Sequence, residues 1–263
     1  MIELYQFELS HYSEKVRFLL DYKGLAYRKI EVTPGIGQLD VFRLSGQRQV
    51  PVIKDGAEVI ADSTAIALYL EKTYPDRPLI PTDAQQRGLC LLMEEWADES
   101  MGLNARKAML GAFNQNPDFR TAALPRSTPD LVKSLVNAVP HEALDVLGMG
   151  IGLGPDAIKA ARKAIEQNLE ALTLLLANRS YLITDHPTLA DFAVAGTSMY
   201  IKFPAGTYLD IPDALRGRGV PGLADNPAYA AFWEWRDRLY TDYRLATPVP
   251  GGTASAPTSI KIE

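Results

Sequence analysis

The sequence predicts two domains of different class, an α/β domain over residues 1–80 and an all-helical domain over residues 84–247. Three observations carry this reading. The first eighty residues alternate short β-prone runs with stretches of helical periodicity. A proline-flanked linker follows, Asp76-Arg77-Pro78-Leu79-Ile80-Pro81-Thr82-Asp83. From Ala84 onward the apolar residues recur at helical spacing. The first domain is organised around Gln47-Arg48-Gln49-Val50-Pro51-Val52-Ile53. Pro51 stands where a strand begins, a position at which its missing N–H lies outside the ladder. A Val-Pro bond there is a candidate for the cis form. It would present the backbone of Val50 to a ligand instead of to a neighbouring strand.

Composition bounds the answer. The 263 residues are 47% hydrophobic and 22% charged, the balance of a globular protein. A net charge of −5 argues against nucleic acid as a partner, because phosphate binding needs a basic face. The start, Met1-Ile2-Glu3-Leu4-Tyr5, has neither the basic flank nor the apolar run of a signal peptide. No run approaches the roughly 18 apolar residues of a membrane span. One cysteine, Cys90, precludes an internal disulfide and fits a reducing compartment. The histidines are too far apart in sequence for metal-ligand spacing. The expectation is a cytoplasmic, metal-free protein with no membrane or nucleic-acid partner.

Taken in order, Ile2, Leu4 and Phe7 form a β-prone run ending at Ser10. Ser13 or a near neighbour starts a helix with Val16, Leu19 and Leu20 on its apolar face, and Lys15, Arg17 and Asp21 are expected on its wet face. Gly24 sits where a helix C-cap belongs. Tyr27, Ile30 and Val32 suggest a second strand, parallel to the first. Pro34-Gly35-Ile36-Gly37 reads as a turn, and Leu39, Val41, Phe42 and Leu44 as a short helix. Residues 51–54 and 57–60 flank Asp55-Gly56, a strong two-residue hairpin signal. A helix over 63–74 ends at Pro75. The order β-α-β-α-β-β-α is the thioredoxin-like arrangement.

In the second half, Leu89, Leu92, Met93 and Trp96 suggest an apolar stripe, interrupted at Asn114-Gln115-Asn116-Pro117. A further helical run follows Thr128-Pro129-Asp130, with Leu131, Leu135 and Val139, then Leu144 and Leu147. The glycine-rich stretch from Gly148 to Pro155 lacks the Lys-Ser/Thr of a phosphate loop and follows no strand, so it reads as a hinge. Ile158, Ala161, Ile165, Leu169, Leu172 and Leu176 mark a clear helix. Thr188 and Asp191 form a capping box in the Asp form. A last helix runs over 227–243, and residues 248–263 read as a disordered tail.

Three blocks, Leu4-Tyr5 through Ser10-His11-Tyr12-Ser13-Glu14-Lys15-Val16-Arg17, then Gln49-Val50-Pro51, then Asp62-Ser63-Thr64-Ala65-Ile66, together resemble the N-terminal domain of cytosolic glutathione S-transferases in order and spacing. The Thr188–Asp191 block resembles a folding element of that family's helical domain. The resemblance implies a cis Val50-Pro51 bond, with the backbone of Val50 on the cysteinyl unit of glutathione. It implies that Asp62 and Ser63 hold the γ-glutamyl end, helped by Gln49. It also implies a homodimer that conjugates glutathione, as co-substrate and without a metal, to small hydrophobic electrophiles. Extra sequence between about 114 and 155 departs from the family, and Met101, Met109 and Phe113 are candidates to line the second-substrate pocket.

Such chemistry needs a thiolate, and a free thiol with a pKa of about 8.5 supplies only a few per cent of it at neutral pH. A hydrogen-bond donor near a helix N-terminus stabilises the anion. Ser10, between strand one and helix one, is the first choice. Ser13, in the place of the second cysteine of a C-x-x-C motif, and Tyr5, near the end of strand one, are the alternatives. A serine in front of a helix is also an ordinary N-cap. His11 receives no role, and no G-x-S-x-G elbow supports a hydrolase triad. Thiol–disulfide exchange is disfavoured, since neither Ser10 nor Ser13 is a cysteine. A non-catalytic glutathione or hydrophobic-ligand carrier, and another glutathione enzyme (peroxidase, dehalogenase or isomerase), remain the alternative readings.

Overall fold

Four strands make one sheet in the order β2-β1-β3-β4: β1 Ile2–Gln6, β2 Tyr27–Glu31, β3 Val52–Asp55 and β4 Glu58–Ala61. The computed structural model of the chain describes residues 1–33, 37–122, 130–140 and 154–246. β2 runs parallel to β1, with Ile2 opposite Tyr27, while β3 is antiparallel to both β1 and β4. Ile2, Leu4 and Gln6 alternate inward along β1. The hairpin turn falls on Gly56 and Ala57, one residue later than Asp55-Gly56 suggested. Asp55 still pairs with Glu58, and Gly56 supplies the left-handed φ of +61°.

Helices α1 His11–Tyr22, α2 Gln38–Ser45 and α3 Ser63–Thr73 complete the α/β part. α1 begins at His11 because Ser10 is its N-cap: the Ser10 hydroxyl accepts a 3.2 Å hydrogen bond from the N–H of Ser13. Gly24 follows with φ of +68°. Lys15, Arg17 and Asp21, expected in water, are buried along with Val16, Leu19 and Leu20. α1 is covered on both sides, and each of these charges has a partner of opposite sign.

The helical part comprises α4 Ala84–Trp96, a π-helical turn Ala97–Gly102, α5 Leu103–Gln115, α6 Pro117–Ala122, α7 Asp130–Ala138, α8 Pro155–Leu176, α9 Leu189–Thr197 and α10 Ala230–Tyr243. α9 packs directly on α1. A Cβ on Gly196 would lie 2.9 Å from the backbone nitrogen of Lys15, so glycine permits this approach. Phe192 of α9 stacks on Phe18 of α1 at 5.5 Å between ring centroids. The capping box is present. Asp191 accepts from the Thr188 N–H at 2.8 Å and its hydroxyl at 2.9 Å, and also from the N–H of Leu182 at 2.8 Å. Burial outweighs these bonds and pushes its pKa up to about 6. α8 buries Ala161, Ile165, Leu169, Leu172 and Leu176 as its periodicity indicates.

α4 departs from its expected stripe. Leu89 and Leu92 are exposed, and the buried line runs through Cys90, Glu94, Ala97, Asp98 and Met101. Two acids occupy core positions because a lysine meets them there. The linker is also docked, with Leu79 and Ile80 buried and the Leu79 carbonyl accepting from the N–H of Leu189. The turn at 34–36, the positions Leu144 and Leu147, most of the glycine-rich stretch and the tail from 247 lie outside the described residues. Among the described residues no helix is long and apolar enough to cross a membrane.

Candidate functional site

A cleft of about 740 Å³ opens between the α/β part and the α4–α5 edge of the helical part. Three loops of the α/β part reach it. The turn after β1 brings Ser10, His11 and Tyr12, the segment before β3 brings Gln49, Val50 and Pro51, and the start of α3 brings Asp62, Ser63 and Thr64. The facing wall carries Asp98, Leu103, Arg106 and Tyr200.

The Val50-Pro51 bond is cis. The ladder of β3 with β1 starts at Val52, opposite Tyr5, so Val50 lies outside it. Asp62 has φ of +81°, uncommon for a residue with a Cβ and a local strain of about 1–3 kcal/mol. Its side chain offsets that cost by accepting from the N–H groups of Thr64 and Ala65, each at 3.0 Å, which caps α3. The first turn of α3 thus faces the cleft with its positive end.

Under that turn lies a buried ion cluster. The ammonium of Lys15 contacts Glu94, Asp98 Oδ2 at 2.6 Å, and the hydroxyls of Ser63 and Thr64 at 3.4 Å each. The Thr64 hydroxyl donates to Glu94 at 2.6 Å, and the Ser63 hydroxyl to Asp98 Oδ2 at 3.1 Å. One cation faces two carboxylates, so negative charge is in excess. Asp98 Oδ1 is buried without a hydrogen-bond partner, and burial raises the pKa of Asp98 against the pull of Lys15. An orphan acceptor with surplus negative charge beside a cleft suits an ammonium donor.

Of the three candidate thiol donors, only Ser10 lines the cleft. Its oxygen accepts from Ser13 N–H as the α1 cap, which leaves its own O–H to donate. Ser13 is fully buried and its hydroxyl has no partner. Tyr5 packs beside Val32, Val41 and Val52 and donates to Glu3 Oε2 at 3.1 Å, away from the cleft. Gln49, Val50, Pro51, Asp62 and Ser63 all line the same cavity as Ser10. Met101 and Met109 are core, and Phe113 packs on Phe119 at 4.8 Å, so none of these three lines it.

Sequence reasoning passed over Lys15, Thr64, Glu94, Asp98 and His11. A signal existed for two of them: Cys90, Glu94, Ala97 and Met101 recur at helical spacing, which places the acids Glu94 and Asp98 on an otherwise apolar face. His11 is buried, and burial, then Arg106 and Lys15, hold its pKa down at about 3, so the imidazole is neutral. Gly102 makes room for it, since a Cβ there would lie 2.7 Å from His11 Nε2. Gly102→Ala is expected to displace the His11 ring, a change read from the imidazole resonances by comparing NMR spectra of the variant and the wild type.

Comparison with known proteins gives concordant matches. Residues 4–78 match the family model described as glutathione S-transferase, N-terminal domain, and residues 155–238 the one described as glutathione S-transferase, C-terminal domain. Over 91 residues, 34% of this chain and 41% of the relative, the sequence is 41% identical to glutathione S-transferase 1 of Dianthus caryophyllus. Over 89 residues, 33% of this chain and 42% of the relative, it is 37% identical to a maleylpyruvate isomerase of Ralstonia sp.. The chain thus spans less than half the length of these curated relatives. A solved beta-etherase from Sphingobium sp. strain SYK-6 superposes with a TM-score of 0.65 at 20% identity, covering 91% of this chain and 94% of that one, a likeness of fold.

Proposed function

The chain belongs to the glutathione S-transferase superfamily, and from that premise we propose that it conjugates glutathione, through its thiolate sulfur, to small hydrophobic electrophiles. The observation that carries this reading is the convergence on one cleft of Ser10, Val50 beside its cis proline, the α3 N-terminus and Asp98. Each matches one part of the tripeptide. The γ-glutamyl ammonium goes to Asp98, and its carboxylate to the first turn of α3 at Ser63 and Thr64. The cysteinyl backbone pairs with Val50, and Gln49 supports the γ-glutamyl end.

The thiol then lies at the N-terminus of α1, where the Ser10 hydroxyl donates to the sulfur. Lowering the thiol pKa by about two units takes about 2.7 kcal/mol of preference for the anion. A charge-assisted hydrogen bond and a helix dipole together reach that order. The thiol proton passes to solvent, and the sulfur forms a bond to the electrophilic carbon as the leaving group departs with its electron pair. His11, its pKa held down at about 3 by burial, is too weak a base to take the thiol proton at neutral pH. A cytoplasmic homodimer belongs to the same reading; exposed Leu89 and Leu92 on α4 offer apolar surface for it, and sedimentation at varied concentration tests the pairing.

Ultraviolet titration of bound glutathione tests the assignment. The wild type should show a thiol pKa near 6.5, about two units below the free value, and Ser10→Ala should return it toward roughly 8.5. An undepressed pKa in the wild type favours the carrier reading, and absence of binding defeats both. The likeness to the maleylpyruvate isomerase supports a second reading in which the same thiolate adds reversibly to an unsaturated substrate. An isomerase leaves the glutathione concentration unchanged, whereas a transferase consumes it.

A further inference from the structure

We propose that the helical-domain end of the cleft takes a planar second substrate bearing a carboxylate, its ring against His11 and Tyr200 and its anion on Arg106. The chemistry of this step rests on the glutathione reading above; the binding does not.

The shape comes from three neighbouring rings. The imidazole of His11 lies 3.9 Å from the ring of Tyr12 and 4.8 Å from that of Tyr200, centroid to centroid. All three line the cleft with Leu103, and a flat conjugated ligand meets their faces and edges favourably. The charge comes from Arg106. Arg106 lines the same end, is exposed, and has no ion pair or hydrogen bond with another described residue. Its planar fork matches a carboxylate.

The cleft also holds acids, Asp62 at the α3 cap, Glu95, Asp98 and Glu99, and their placement decides where an anion is tolerated. Asp98 is engaged by Lys15 and Ser63. The carboxylates Asp98 and Glu99 act on Tyr12, whose hydroxyl donates to the Asp98 carbonyl at 3.2 Å and whose pKa rises to about 12 through burial and then these acids. The other face differs. At His11 and Tyr200 the cation without a carboxylate partner is Arg106, since Lys15 is paired with Glu94 and Asp98 and Arg17 with Glu14 and Glu8. The cleft therefore offers Asp98, beside Lys15 and Ser63, to an ammonium and Arg106 to an anion. His11 itself is neutral, so Arg106 must supply the positive charge.

The test uses nitrobenzoate and its neutral methyl ester as binding probes, and a chloronitrobenzoate with its methyl ester as electrophiles. In the turnover step, the glutathione sulfur bonds to the ring carbon and chloride leaves with the electron pair. Calorimetry on the wild type should show the acid bound about tenfold more tightly than the ester, with the same preference in kcat/KM. Arg106→Gln should bring the two probes to near parity, and Arg106→Lys should retain part of the preference. Glutathione affinity should be unchanged in both variants. A wild type that favours the ester, or a preference that survives in Arg106→Gln, overturns the proposal. If glutathione binds with a lowered thiol pKa while the acid shows no advantage, this inference fails alone. If the acid is preferred but glutathione does not bind, the transferase reading fails alone.

Discussion

Lys15→Met is expected to destabilise the protein by about 3–5 kcal/mol and to weaken glutathione binding at the same time. The side chain is fully buried between Glu94 and Asp98, and both hydroxyls of the α3 first turn contact it. A methionine fills much of the volume but leaves two carboxylates in a dry site without a counter-charge. Folding must then hold them as neutral acids, so their folded pKa values rise above the unfolded ones. The sign follows. The penalty is absent below the unfolded carboxylate range and grows as pH rises through it. Urea unfolding should therefore find the variant closest to wild type near pH 4 and furthest from it at pH 7–8. Adding Glu94→Gln should recover part of the loss. A variant within about 1 kcal/mol of wild type at pH 7.5 would show that the cluster does not hold α1, α3 and α4 together.

The second large effect lies at the far end of α1. Arg244, just beyond α10, is buried against it, bonding Glu14 Oε1 at 3.0 Å and also Asp21. It donates as well to the carbonyl of Tyr208 at 3.2 Å. Arg17 is the other partner of Glu14. Burial alone would raise the pKa of Glu14, yet Arg17 and Arg244 outweigh it and bring the value to about 2. Because the folded value lies below the unfolded one, the contribution of Glu14 is complete above about pH 4.5 and is lost as pH falls toward 2, an amount of about 3 kcal/mol. Asp21 works the other way, since burial outweighs its pairing with Arg244 and raises its pKa. Arg244→Ala should cost about 3–5 kcal/mol at pH 7 and flatten the acid limb of the stability curve. Thermal unfolding from pH 7 to pH 2.5 measures both, and an unchanged acid limb would assign the acid sensitivity elsewhere.

These two clusters mark where reading the chain stopped. α1 carries Lys15, Arg17 and Asp21 beside Val16, Leu19 and Leu20, and helical periodicity assigns such charges to water. α9 and α10 instead cover that side, and α4 and the residues after α10 bring the opposite charges. Likewise, Leu89 and Leu92 made the more obvious stripe on α4, while the helix turned Cys90, Glu94 and Asp98 inward. A hydropathy pattern ranks leucine above glutamate at a core position. It contains no term for a lysine that arrives from eighty residues away.

By itself, the sequence determined the strand and helix order of the α/β part, the hairpin, and the capping box at Thr188 and Asp191. Each of these rests on neighbours in the chain: a cap is a side chain three residues from an N–H, and a turn is a glycine where φ is positive. The tertiary structure decided which of Ser10, Ser13 and Tyr5 faces the cleft. It also decided that His11 is neutral and packed between the tilted rings of Tyr12 and Tyr200, that Asp98 keeps an unpaired oxygen beside Ser63, and that Arg106 lines the same wall as Asp98. Those outcomes depend on burial and on charges brought together over long sequence separations. Dielectric surroundings and electrostatic partners exist only once the two parts of the chain have packed.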